Sequence, residues 1–194
     1  MLSRQYKPDF TIMYPDGTKE KDNAMQWKNI HYAALEYHSS NYVGGKYLEI
    51  GSNFGHSAFQ IWASMRPKKM ILCDMFIENS MVPYIKRTLV CLGCVADVVF
   101  LKGRSVQFYD KITDVFDVIL VDGDHSPSGA TKDLNHAWKW LKPGGTLLFD
   151  DTNIKALKNV FDDFCYSVEK NSSFIKNYDE WKCGCGVITK SKEV

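Results

Sequence analysis

Short apolar runs rich in aliphatic and β-branched residues recur along the chain from residue 46 onwards. Five of them have the length and composition of buried strands: KYLEI (46–50), KMILCD (69–74), VADVVFL (95–101), DVILVD (117–122) and GTLLFD (145–150). Runs of this kind favour strands of a parallel sheet because both faces of such strands are covered. The pattern therefore predicts at least five central strands.

Between these runs the apolar residues recur every three or four positions, which predicts helices. The predicted helices cover His56–Met65, Val82–Leu92, Gly129–Leu141 and Ile154–Lys170, with a short helix after Ser105. Strands that alternate with helices are typical of an α/β protein whose parallel sheet is covered by helices on both faces.

The end of the chain changes pattern. SFIKNY (173–178) and GVITK (186–190) follow one another without an intervening helix, which predicts an antiparallel hairpin. The complete prediction is an α/β, Rossmann-like three-layer sandwich. Its seven-stranded, mostly parallel sheet would end in a C-terminal antiparallel hairpin.

The N-terminal region differs from the rest. Residues 1–22 are polar and contain a turn signal at Tyr14–Gly17, and residues 23–40 have mostly helical spacing. We expect residues 1–40 to form an arm and helix that serve as a lid or a dimer contact, and residues 41–194 to form the core. Since no linker or repeat interrupts the pattern, one domain over residues 1–194 is predicted.

Composition narrows the class of protein. The chain has 194 residues, 45% hydrophobic and 24% charged, with a net charge of +1, as in an ordinary globular domain. The charge gives no reason to expect a polyanionic partner. No apolar run approaches the roughly 18 residues that span a membrane. The first ten residues lack the apolar region of a signal peptide, so a cytoplasmic location is expected.

The first strand–helix junction has the composition of a ligand-binding loop. Gly51 and Gly55 allow the backbone to turn tightly and to approach a ligand closely. A dinucleotide site would need a further glycine where Asn53 stands. Asp74 ends the second strand, where a carboxylate can accept hydrogen bonds from a ribose diol. An adenosine-type ligand is therefore predicted.

Four aspartates follow two of the predicted strands. Asp122 and Asp124 follow the fourth, and Asp150 and Asp151 follow the fifth. If these strands are neighbours, their ends lie roughly 5 Å apart and the carboxylates repel one another. Either some of them hold protons, or a divalent cation such as Mg²⁺, Ca²⁺ or Mn²⁺ neutralises them.

These motifs together resemble a known family. The E-x-G-x-x-x-G loop, the acid after strand two and the segment VDGDHSPSGATKDLNHAWKWLKPGGTLLFDD are similar to class I S-adenosylmethionine-dependent methyltransferases. The resemblance covers about residues 40–190. It is closest to the branch with a D-G-D-H-S strand end, which includes small-molecule and sugar O-methyltransferases.

The resemblance implies a set of cofactor contacts for S-adenosylmethionine. Asp74 would hold the ribose hydroxyls, Met75 and Ser105 would lie beside the adenine, and Asp122 would lie near the reactive end. The methionine part would be lined by Glu49, Gly51, Ser52, Asn53 and Gly55.

The resemblance also implies a divalent-metal site and a general base. Asp122, Asp150 and Asp151 occupy the positions of metal ligands in the metal-dependent O-methyltransferases. The metal would bind the acceptor hydroxyl and lower its pKa. Two residues compete for the role of base. Asp124 matches the sugar-modifying relatives and is slightly favoured, and His125 stands where catechol-type relatives have a lysine.

Other functions are weighed against this one. A metal-independent methyltransferase could act on nitrogen or on a macromolecule, and a module that only binds a nucleotide would transfer nothing. The chain lacks the D/N-P-P-Y/F and Pro-Cys motifs of DNA methyltransferases, so DNA is not an expected partner. A small-molecule acceptor is predicted, and a homodimer is an open possibility.

Overall fold

The structure is a computed structural model that describes residues 33–178 and 184–192. Residues 33–39 are helical and are called α1. The predicted helix over residues 23–40 therefore lies partly outside the described residues. The N-terminal arm and its Tyr14–Gly17 turn lie entirely outside them.

Within the described residues, seven strands form one sheet in the order β3-β2-β1-β4-β5-β7-β6. The strands are β1 Lys46–Ile50, β2 Lys69–Asp74, β3 Asp97–Lys102, β4 Phe116–Val121, β5 Leu141–Asp150, β6 Ser172–Tyr178 and β7 Cys185–Lys190. The first five strands pair in parallel, whereas β7 is antiparallel to both β5 and β6. The predicted α/β fold and its C-terminal hairpin are confirmed.

Helices cover both faces of this sheet. The longer ones are α2 His56–Met65, α3 Met81–Cys91, α4 Pro127–Trp140 and α5 Lys155–Val168, and short 3-10 turns lie at Ser40–Tyr42, Ser105–Gln107 and Glu169–Asn171. One apolar core lies between the sheet and α1, α2 and α3, and the other lies between the sheet and α4 and α5. These are the three layers that the alternating pattern predicts.

Several boundaries differ from the predicted ones, and two of the differences have local reasons. Helix α4 begins at Pro127 rather than Gly129, because Pro127 suits the first helical turn and Ser126 Oγ accepts a hydrogen bond from the Gly129 N–H at 3.1 Å. Strand β5 begins at Leu141 rather than Gly145, and an irregular register with β4 accommodates the additional residues.

Because β1, β2, β4 and β5 are parallel, their carboxyl ends lie at one edge of the sheet, called here the carboxyl edge. The strand order reverses between β1 and β4. Ligands bind at this switch point in open α/β sheets. No helix among the described residues is both long and apolar enough to cross a membrane.

The opposite edge, where the parallel strands begin, carries lysine–aspartate pairs. Lys46 and Lys69 both form salt bridges with Asp114. Lys142 Nζ lies 2.8 Å from each carboxylate oxygen of Asp117, which also accepts a hydrogen bond from the Lys46 backbone N–H at 2.7 Å. These pairs connect β1, β2, β4 and β5 at the amino edge.

Candidate active site

The loop after β1 is held against the end of β4. Gly51 has a φ of +93°, and a Cβ there would lie 1.8 Å from the carbonyl oxygen of Asp122. The Asp122 N–H in turn donates to the Ile50 carbonyl at 2.8 Å. A glycine is required at position 51 by both the backbone conformation and the close approach.

The same loop turns into α2 through two residues with positive φ. Asn53 and Gly55 have φ values of +43° and +79°, and the Gly55 N–H donates to the Ser52 carbonyl at 2.6 Å. The Ser52 hydroxyl is buried and has no hydrogen-bond partner among the described residues. Because a buried hydroxyl without a partner is costly, this loop has the chemistry of a site completed by a polar ligand.

Glu49 lies buried directly before this loop. Its Oε2 accepts a hydrogen bond from Tyr47 Oη at 3.1 Å. Burial raises the pKa of Glu49 well above its usual range, the hydrogen bond from Tyr47 opposes this, and the charges of Asp122 and Asp74 add to the rise. Three acidic side chains therefore act on one another around the loop, which favours a cationic ligand group there.

Asp74 is oriented by backbone donors at the end of β2. One carboxylate oxygen accepts from the Asn53 N–H and the other from the Phe76 N–H, each at 2.8 Å. Each oxygen keeps a further lone pair with which it can accept a hydrogen bond from a ligand hydroxyl. The neighbouring Met75 side chain is exposed and Phe76 is buried. The two predicted residues, Asp74 and Met75, therefore border the same loop.

The turn after β3 lies next to Asp74. The Gly103 N–H donates to the Asp74 carbonyl at 2.8 Å, and a 3-10 turn over Ser105–Gln107 follows. Ser105 is half-buried. This arrangement places Ser105 beside the ends of β2 and β3, on the side of the carboxyl edge where the resemblance expects the adenine.

A histidine lies between two carboxylates at the ends of β4 and β5. His125 Nε2 is 3.6 Å from Asp122 Oδ1 and 3.4 Å from Asp151 Oδ2. The three side chains can bring one ligand atom each to within 4.8 Å of one another, which is a group that could hold a metal ion. The interaction with Asp122 raises the pKa of His125, burial opposes the rise, and the charges of Asp151, Asp122 and Asp150 add to it.

Of the two adjacent aspartates at the end of β5, Asp151 belongs to this group. Asp151 has a φ of +60°, a left-handed conformation that few residues other than glycine adopt. Asp150 is the last residue of β5 and pairs with Cys185 of β7, and it lies outside the three-residue group. The charge of Asp150 still raises the pKa of His125.

Asp124 turns towards the start of α4. Its Oδ1 accepts a hydrogen bond from the Ser126 N–H at 2.8 Å, and a Cβ at Gly129 would lie 2.2 Å from its Oδ2. Hydrogen bonds with the backbone and side chain of Ser126 lower the pKa of Asp124. The structure does not bring Asp124 into the group formed by Asp122, His125 and Asp151.

A groove of about 1240 Å³ lies elsewhere, between α1 and the β6–β7 hairpin. Its walls include Tyr37, His38, Phe174 and Tyr178. None of the predicted site residues lines it, so the groove is separate from the carboxyl edge.

Comparisons with known proteins identify the family of this chain. A family described as a methyltransferase domain matches residues 48–152, which is more than half of the chain. The chain therefore belongs to this methyltransferase family, and it is an S-adenosylmethionine-dependent methyltransferase. The predicted enzyme class is thereby confirmed. Among curated proteins, none matches the chain at a significant level.

Solved structures show the same fold at low sequence identity. The O-methyltransferase TomG from Streptomyces achromogenes, in complex with S-adenosylmethionine, has a TM-score of 0.66 and 16% identity, covering 89% of this chain and 91% of its own. An rRNA methylase from Streptococcus thermophilus has a TM-score of 0.63 and 10% identity, covering 84% and 95%. The N-methyltransferase NodS from Bradyrhizobium japonicum has a TM-score of 0.63 and 14% identity, covering 88% and 98%.

These three proteins share one fold but are named for different acceptors. The fold alone therefore does not determine the acceptor of this chain. The D-G-D-H-S branch stays a prediction from the sequence.

Proposed function

We propose that this methyltransferase transfers the methyl group to a hydroxyl oxygen of a small molecule or sugar, with His125 as the general base. The observation that carries the proposal is the position of His125 Nε2 between Asp122 and Asp151, next to the loop after β1. A histidine held in this way has a defined orientation, and its protonated form is stabilised by both carboxylates.

The cofactor would bind along the carboxyl edge. S-adenosylmethionine supplies a methyl group on a sulfonium centre. Asp74 would accept the ribose hydroxyls with lone pairs that its two backbone hydrogen bonds leave available. Ser52 Oγ lacks a partner among the described groups and would gain one. Glu49 and Asp122 would stabilise the cationic methionine part, while Met75 and Ser105 would border the adenine.

The acceptor hydroxyl would lie at His125. When the methyl group is transferred, the hydroxyl loses its proton to Nε2 and the new carbon–oxygen bond forms as the carbon–sulfur bond breaks. Holding the two reactants in line supplies a large part of the rate. Asp124 is the weaker candidate for the base because its carboxylate is engaged with Ser126 at the start of α4.

A divalent cation is part of the proposal. Asp122 and Asp151 supply oxygen atoms, and Asp150 lies beside them at the end of β5, which is a donor set that suits Mg²⁺. The cation, when bound, lowers the pKa of the acceptor hydroxyl. The carboxylate oxygens of Asp122 and Asp151 lie within 4.8 Å of each other, so they can hold such an ion while His125 Nε2 stays available for the acceptor proton.

The test is methyl transfer from labelled S-adenosylmethionine to three acceptor classes: hydroxylated small molecules including catechols and sugars, amines, and RNA. Each is assayed after dialysis against EDTA and again after Mg²⁺ is restored. We expect label on a hydroxyl oxygen and activity only with Mg²⁺. Label on nitrogen or RNA would overturn the acceptor class, and full activity in EDTA would overturn the cation.

A further inference from the structure

Asp133 is a buried carboxylate that the proposed chemistry does not use. It lies on the buried face of α4 with Ala130, Leu134 and Ala137, and its relative exposure is 0%. A carboxylate in such a position is costly unless it is hydrogen-bonded. A charge on the apolar stripe of a helix is an unusual feature.

The carboxylate connects α4 to the turn after β3. Tyr109 Oη donates a hydrogen bond to Asp133 Oδ1 at 2.7 Å. The Tyr109 ring stacks on His136, with centroids 3.7 Å apart and planes at 8°. The centroid of the Tyr109 ring also lies 6.2 Å from that of Trp140, which is one turn further along α4 than His136. Tyr109 is therefore held at its hydroxyl and at its ring by one face of α4.

The same carboxylate lies against the loop after β4. A Cβ at Gly123 would be 3.3 Å from Asp133 Oδ2, so the side chain packs beneath the backbone between Asp122 and Asp124. Burial raises the pKa of Asp133, and the hydrogen bond from Tyr109 opposes the rise. Asp133 Oδ2 has no hydrogen-bond partner among the described residues and lies against the loop backbone. Groups from both loops therefore face one carboxylate.

We propose that Asp133 is a positioning residue that fixes the loop carrying Asp122 and His125 relative to the turn carrying Ser105. The inference rests on the proposed function, because these loops would hold the acceptor and the adenine respectively. Asp133 would act through its contacts with Gly123 and Tyr109, the second of which follows the turn that carries Ser105. Its loss should alter the distance between the two loops and leave the sheet intact.

The test compares the full-length variants Asp133→Asn and Tyr109→Phe with Asn135→Ala as a matched control. Asn135 is on the exposed side of the same helix, where its side chain bonds only the Thr131 carbonyl among the described hydrogen bonds. Hydrogen exchange of residues 122–126 is measured without ligand, with residues 172–178 as an internal reference. S-adenosylhomocysteine affinity and kcat are measured on the same samples.

We expect Asp133→Asn to speed exchange of residues 122–126 by about tenfold, because the substitution replaces the charged acceptor of Tyr109 and the oxygen that packs against Gly123. Tyr109→Phe should act in the same direction with a smaller effect, and little should be added in the double variant. The reference residues and Asn135→Ala should not change. S-adenosylhomocysteine affinity and kcat should fall in Asp133→Asn and stay unchanged in the control.

Unchanged exchange and unchanged affinity in a folded Asp133→Asn protein would overturn the proposal, as would an equal rise in exchange at residues 172–178. If Asp133→Asn does not fold, the test uses Tyr109→Phe alone. Exchange of residues 122–126 equal to that of the wild-type protein would then overturn the proposal. If the wild-type protein does not methylate a hydroxyl, the proposed function fails, while the exchange comparison still decides the role of Asp133.

Discussion

The two edges of the sheet use aspartate in opposite ways. At the amino edge, Asp114 and Asp117 are matched with Lys46, Lys69 and Lys142 in short ion pairs. At the carboxyl edge, Asp122 and Asp151 share a contact with one histidine. Aspartate side chains thus join strands at one edge and flank a candidate catalytic histidine at the other.

The difference lies in what each carboxylate contacts. Lysine stays charged over the ordinary pH range, so a lysine–aspartate pair is a fixed structural contact. Histidine changes charge near neutral pH and can take up or release a proton during a reaction. Variants at the two edges should therefore separate activity from stability, and the following predictions test that separation.

The largest effect is expected at His125. His125→Ala should lower kcat by about 10²- to 10⁴-fold, because a general base contributes that much. S-adenosylhomocysteine affinity should stay within about twofold, since the side chain is on the acceptor side. Steady-state kinetics and calorimetry measure the two quantities. The amino-edge variant Asp114→Asn serves as the control and should keep wild-type kcat; a similar loss in both variants would contradict the comparison.

A smaller effect is expected at Asp74. Asp74→Ala should weaken S-adenosylhomocysteine binding by about 10- to 100-fold, because hydrogen bonds to a charged group contribute about 1.5–3 kcal/mol. Calorimetric titration measures the change. The amino-edge variant Asp97→Ala, at the start of β3, removes a carboxylate of the same kind and should bind normally. Normal binding by Asp74→Ala would exclude the ribose role.

Asp124 should behave as a structural residue although it belongs to the carboxyl edge. Asp124→Ala should lower the free energy of unfolding by about 1 kcal/mol, because its carboxylate accepts a hydrogen bond from the N–H of Ser126, the residue that caps α4. Its kcat should fall by less than about tenfold. Urea unfolding and kinetics provide the two numbers. A loss of kcat as large as that of His125→Ala would return the role of base to Asp124.

The smallest effect is expected at Asp114. Hydrogen bonds from Lys46 and Lys69 lower the folded pKa of Asp114, so its stabilisation is present above the unfolded pKa of about 4 and is lost as pH falls through the folded value. Asp114→Asn should therefore cost about 0.5–1 kcal/mol at pH 7. Urea unfolding across pH should show this difference disappear in acid; a constant difference would refute the ion-pair explanation.

Most of the fold could be predicted from the sequence because the strands are continuous apolar runs. Helix α2 has the predicted bounds, and the end of β4 differs by one residue. Helix α4 is the informative exception, since its true start depends on Ser126 and Pro127 rather than on apolar spacing.

The side-chain contacts at the carboxyl edge could not be predicted from the sequence, because side-chain direction in a loop is not periodic. Asp122 and Asp124 are two residues apart, yet Ser126 draws Asp124 towards α4. Asp151, rather than Asp150, contacts His125, and the two adjacent aspartates in the sequence do not reveal which of them does so. The role of Asp133 depends on contacts with Tyr109 and Gly123 that come from distant parts of the chain.

The tight contact between Gly51 and the Asp122 carbonyl has an evolutionary consequence. The spacing between the loop after β1 and the end of β4 is set by two main chains in contact, and under the proposed function these carry the methyl donor and the acceptor. Substitutions around the acceptor can therefore accumulate and change the preferred substrate while the reach of the methyl group stays constant. Descendants of such a chain would diverge in substrate long before they lost the reaction.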